Sequence, residues 1–148
     1  MLAGFLVYLV AMAIVLAFWE VQIEGKDGWA ANLPCWRKKR GWIVRLSGGR
    51  PLTGYHIGMV TFLLLVIHFP FLFVTWSLGK EIFVMGFLAA LFLFEDFLWF
   101  AINPNYGLRK FKKGEIWWHK NWWGPIPVLY WWLTPLAGVL MYLGQILW

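Results

Sequence analysis

Four long apolar runs constrain this chain more than any other feature. They cover residues 2–24, 53–76, 81–103 and 125–147, each close to the ~20 residues that a helix needs to cross a bilayer. A soluble domain of 148 residues that is 61% hydrophobic, with 13 Trp and 13 Phe, has too little interior to hide such side chains. A membrane protein leaves them against lipid. The expected fold is therefore all-α and integral to a membrane: a single domain, 1–148, of four transmembrane helices. The first run lacks the basic leader of a secretory signal and is read as a retained helix.

Local signals mark the helix ends. Pro70 is expected to kink the second run, because proline cannot donate to the carbonyl one turn back. Asn103-Pro104 stops the third. Gly124-Pro125-Ile126-Pro127 opens the fourth, since proline suits a first helical turn.

The net charge of +6 could suggest nucleic acid, but its distribution argues against that partner. Of the 13 basic residues, only Lys80 lies outside the long connections at residues 25–50 and 104–124. By the positive-inside bias, both connections are expected in the cytoplasm and both termini outside, in the plasma or inner membrane if the source is prokaryotic. The run Arg37-Lys38-Lys39-Arg40, with Arg109 and Lys110, is the candidate surface for anionic lipid headgroups or phosphates. The same connections carry Trp29, Trp36, Trp42, Trp117, Trp118, Trp122 and Trp123, suited to the headgroup zone. Read as a helix, Leu108, Phe111, Trp118 and Trp122 share a face, so an amphipathic segment is expected there, part of an interfacial cap made by both connections. Cys35 stands alone, which excludes an internal disulfide.

Inside the third run lie two adjacent carboxylates, Glu95 and Asp96. Acids at membrane depth are costly and need a partner or a task. Asp96, Trp99 and Asn103 share a helical face, whereas Glu95 points about 100° away. Glu20 and Glu24 are one turn apart near the end of the first run, and His56 opens the second. Depth alone makes a cytoplasmic-side pocket plausible. Carboxylates with imidazoles and no thiolate suit a divalent metal such as Zn, Mn or Fe; the candidate ligands are Glu20, His56, Glu95, Asp96 and His119. For acid–base chemistry on a lipid-like amphiphile the candidates are Glu95, Asp96 and His56.

Plainer readings stand beside these. Glu20 and Glu24 are also explained as solvated interfacial acids, His119 as exposed between Trp118 and Lys120, and His68 as bonded within its own kinked helix or to a neighbouring one. Glu95 or Asp96 paired to a basic side chain would fix the helices without further function. An accessory scaffold, or a subunit of a proton- or cation-coupled transporter, is the alternative function, with a second copy or another membrane protein as partner. The sequence carries no catalytic motif and leaves open whether the chain is an enzyme.

Overall fold

The helix that positions everything else is Leu78–Ile102, 25 residues long. In the computed structural model, which describes residues 2–148, the chain is mostly helical and runs α1 (Leu2–Glu24), β1 (Arg37–Lys38), α2 (Trp42–Leu46), β2 (Leu52–Thr53), α3 (Gly54–His68), α4 (Leu78–Ile102), β3 (Trp122–Trp123), β4 (Ile126–Pro127) and α5 (Val128–Ile146). Short 3-10 turns occupy Phe69–Leu72 and Leu108–Lys110. Three segments, Gly4–Glu24, Gly54–Leu72 and Leu78–Ile102, are long and apolar enough to cross a membrane. The fourth apolar run forms α5, a helix of 19 residues diluted by Trp, Tyr, Gly and an internal Pro135.

α4 packs most extensively against α5 and α1, and more lightly against α3. Glycines allow the first contact. A Cβ on Gly144 would lie 2.4 Å from the backbone nitrogen of Phe83, and one on Gly86 would lie 2.7 Å from that of Met141. Such close approach of backbones is how helices associate where lipid cancels the hydrophobic drive. Leu9, Ala13 and Leu16 of α1, Met59, Leu63 and Ile67 of α3, and Phe87, Leu88 and Leu91 of α4 make a shared core. Outward faces stay apolar: Val7, Leu65, Leu72 and Trp132 are each at least two-thirds exposed.

Both ends of α3 follow local chemistry. Thr53 caps its start by accepting the N–H of His56, satisfying one orphan donor of the first turn. Pro70 ends it earlier than expected: regular helix stops at His68, gives way to a 3-10 turn through Leu72, and residues 73–77 are not helical. The proline has no N–H for the ladder and restricts the residue before it. α4 then begins at Leu78 rather than 81, because Ser77 accepts the N–H of Lys80 and caps it.

The second long connection departs from expectation. No amphipathic helix joins Leu108 to Trp122. Gly107, Gly114 and Gly124 adopt positive φ values of 64°, 94° and 62°, which break helical continuation. A short 3-10 turn, a series of turns and an antiparallel β3–β4 pairing take its place. Trp118 is turned inward, 3% exposed, and packs with Trp99, Phe100 and Ile116. The first connection also pairs with itself through β1 and β2. The two connections then dock on each other: Trp117 Nε1 donates to Asp27 O (3.1 Å), and Gly28 lies so close to the Trp118 ring that a Cβ would meet it at 2.4 Å.

Candidate functional site

Where these connections meet the helices, the polar side chains converge. Glu20 and Glu24 occupy the last turns of α1, which ends as Gly25 adopts φ 63°. Instead of being solvated they are 6% and 9% exposed. The loop beyond α1 curls back over them, with Trp29 and Ala30 at positive φ. Ala30 N–H donates to Glu24 Oε1 at 2.5 Å, and Trp29 Nε1 donates to Pro51 O at 3.0 Å.

His56 projects from the first turn of α3 towards the same acids. Its ring stacks on Trp29, centroids 4.3 Å apart, and its Nε2 lies 3.6 Å from Glu24 Oε1. On the other side, His56 Nδ1 is 2.6 Å from Thr53 Oγ1. With Nδ1–H donating to that hydroxyl, Nε2 keeps its lone pair on the side of the carboxylates. One ligand atom each from Glu20, Glu24 and His56 lies within 4.8 Å of the others. Tyr55 O–H donates to Glu20 Oε1 at 3.4 Å and orients it. An imidazole anchored through its second nitrogen and hydrogen-bonded carboxylates are the outer-shell features that accompany metal ligation.

Glu95 and Asp96 face different partners, as their offset around α4 requires. Glu95 lines the same cavity as Glu20, and its Oε1 is buried without a partner. Asp96 turns to the other side. It accepts from His119 Nε2 at 2.9 Å and from the Tyr130 hydroxyl of α5. His119 is 3% exposed rather than solvent-facing, and its Nδ1 is 3.4 Å from an Arg50 amino group. Both imidazole nitrogens are therefore engaged.

Glu20, Glu24, His56, Glu95 and Asp96 line one cavity of about 290 Å³, together with Arg50, Trp99 and Tyr130. His119 lies behind its wall, lining a neighbouring cavity that Arg50 shares. The geometry thus splits the five candidate metal ligands. Glu20 and His56 join Glu24, Glu95 is adjacent, and Asp96 with His119 forms a separate pair. Arg50 stacks over Trp29 at 4.8 Å; burial pushes its guanidinium below the ordinary value, opposed by Asp96 and Tyr130.

From this polar end the cavity continues along apolar side chains: Met59 and Val60 of α3, Phe92 and Leu93 of α4, and Leu129 and Leu133 of α5. The basic run behaves differently. Arg37 donates to Ala30 O and Leu33 O, so it serves the first connection's own fold. Lys38, Lys39, Arg40, Arg109 and Lys110 line none of the cavities described, and Lys110 donates to Asn105 O. At the opposite end of α3, His68 bonds Leu64 O at 2.7 Å within its own helix and also Glu81 Oε1 of α4 at 3.0 Å.

Comparison with family models, with curated proteins and with solved structures finds no match for this chain.

Proposed function

We propose that this is a four-span membrane protein which binds a divalent cation at Glu20, Glu24 and His56, and beside it the polar head of a lipid-like amphiphile on which it acts. In this reading α5 is the fourth span, both termini face outward, and the two connections form a cytoplasmic interfacial cap touching anionic headgroups. The observation that carries it is the juxtaposition of a carboxylate–imidazole trio with an apolar trough between α3 and α5. The trio suits a borderline or hard divalent ion, and the trough suits an acyl chain. An apolar pocket with a few convergent polar groups is the usual form of a ligand site.

The two central acids then take different roles. Glu95, with one oxygen unpartnered, is the proton acceptor. Asp96, held by His119 and Tyr130, positions the wall and carries no proton transfer. His56 serves as ligand rather than acid, because Thr53 fixes its other nitrogen.

Metal analysis of protein purified without chelators, followed by Mn²⁺ and Zn²⁺ titration, tests this. One ion per chain is expected, with affinity falling at least tenfold in Glu24→Gln and in His56→Gln. A wild-type protein that binds neither ion stoichiometrically would end the metal reading.

A further inference from the structure

Three buried side-chain atoms among the described residues lack a hydrogen-bond partner: Glu95 Oε1, Arg50 Nε and Trp99 Nε1. All three residues line the same cavity. A buried polar atom left unpaired costs about 1–3 kcal/mol, so three around one space call for an explanation. Glu95 Oε1 is an acceptor and suits a cation or an acidic hydrogen. The other two are N–H donors, one of them cationic, and they need an acceptor.

No acceptor within the protein claims them. Among the described residues Arg50 makes no ion pair within 4.0 Å; its polar side-chain contact is with His119, and its face lies on Trp29. Trp99, 3% exposed, is packed edge-on to Phe100 and Trp118 and tilted against Tyr106, none of which takes a hydrogen bond from its Nε1. Arg50 also borders the second cavity, of about 350 Å³, with Lys120 and Asn121 on its wall. On the first cavity's wall Arg50 stands beside the acids Glu20, Glu24, Glu95 and Asp96, and on the second cavity's wall Lys120 joins it.

We propose that Arg50 and Trp99 receive a phosphate group, which makes the amphiphile of this site a phosphorylated lipid. Arg50 supplies charge and a planar fork matched to phosphate oxygens, and Trp99 donates a neutral hydrogen bond to another. The proposal rests on the reading of the cavity as an amphiphile site. It also moves the phosphate contact from the Arg37–Arg40 run to a residue inside the protein.

The test is calorimetric titration of the full-length, detergent-purified chain with dihexanoyl phosphatidic acid, dihexanoylglycerol and inorganic phosphate. Each is run once in EDTA and once with Mn²⁺. Wild type is expected to bind the phosphatidic acid at least tenfold more tightly than the neutral glyceride. Arg50→Lys and Trp99→Phe, which conserve charge and packing respectively, should each weaken it by tenfold or more, while Arg40→Gln should not. Inorganic phosphate that binds as tightly as the lipid, with the same variant dependence, keeps the anion site and names a soluble phosphate as its source. Arg50- and Trp99-dependent binding that persists in EDTA supports the proposal even if the metal reading fails. Equal affinity for phosphorylated and neutral lipid would overturn it, as would Mn²⁺-dependent binding indifferent to both variants; the latter leaves the metal reading intact.

Discussion

Thr53 holds His56 twice, accepting its backbone N–H at 3.2 Å and lying 2.6 Å from its ring Nδ1. One fully buried hydroxyl therefore caps α3 and fixes the imidazole whose other nitrogen faces Glu24.

Thr53→Val, nearly isosteric, removes both bonds. It should weaken Zn²⁺ binding by about 10–100-fold, the range for outer-shell partners, and lower stability by about 1 kcal/mol through the lost cap. Thr53→Ser should restore most of both. Calorimetric titration and thermal unfolding of the two variants would check this, and unchanged Zn²⁺ affinity in Thr53→Val would argue against ligation by His56.

On the other side of α4, the hydroxyl of Tyr130 and the ring of His119 both bond Asp96. Tyr130→Phe should cost roughly 1.5–3 kcal/mol, the value for a hydrogen bond to a charged group. Metal affinity should stay within a factor of about two, since Asp96 lies outside the trio. Unfolding curves alongside Mn²⁺ titrations separate the effects; a loss of metal affinity comparable to that of Glu24→Gln would place Asp96 among the ligands.

Much of this arrangement is readable from residues alone. Of the four apolar runs expected to span a membrane, three form helices long and apolar enough to do so, and the end of α3 follows from Pro70, although the turn comes sooner than a simple kink. That Glu20, His56 and Glu95 come to one level of the bundle follows from counting residues along each helix. Rotation and loop folding do not. Arg50 reaches His119 across 69 positions of sequence, and Tyr130 reaches Asp96 across 34; no local pattern marks either pair. The spacing of Leu108, Phe111, Trp118 and Trp122 fits a helix, yet positive-φ glycines redirect the chain and bury Trp118 and His119. Thr53, three residues before His56, is the one missed neighbour that a capping rule finds in advance.

Close approach of α4 and α5 rests on glycine. Gly144→Ala puts a methyl group 2.4 Å from the Phe83 backbone nitrogen, so the helices must separate. The expected loss is about 1–3 kcal/mol, read by thermal unfolding. Gly138→Ala on the same helix, with nothing within 4 Å of the new carbon, should be neutral or slightly stabilising.

Cys35, the lone cysteine, lies in the first connection. A membrane-impermeant maleimide should label it in inside-out vesicles and spare it in intact cells. In a Cys35→Ser background, Ser77→Cys should show the opposite pattern. Labelling of Cys35 from outside would reverse the proposed orientation.

Leu133 lines the apolar trough of the cavity from α5, a helix that contributes none of the trio. Leu133→Trp should abolish amphiphile binding while leaving Mn²⁺ affinity unchanged, as followed by the two titrations in parallel. Retained lipid binding would take the acyl chain out of that trough.

Pulsed electron paramagnetic resonance of the Mn²⁺-loaded protein tests the central claim most directly. Ligation by Glu20, Glu24 and His56 predicts coupling to one imidazole nitrogen, present in His119→Gln and lost in His56→Gln. Bound Mn²⁺ with no nitrogen coupling, or with a coupling that survives His56→Gln, would contradict the site described here.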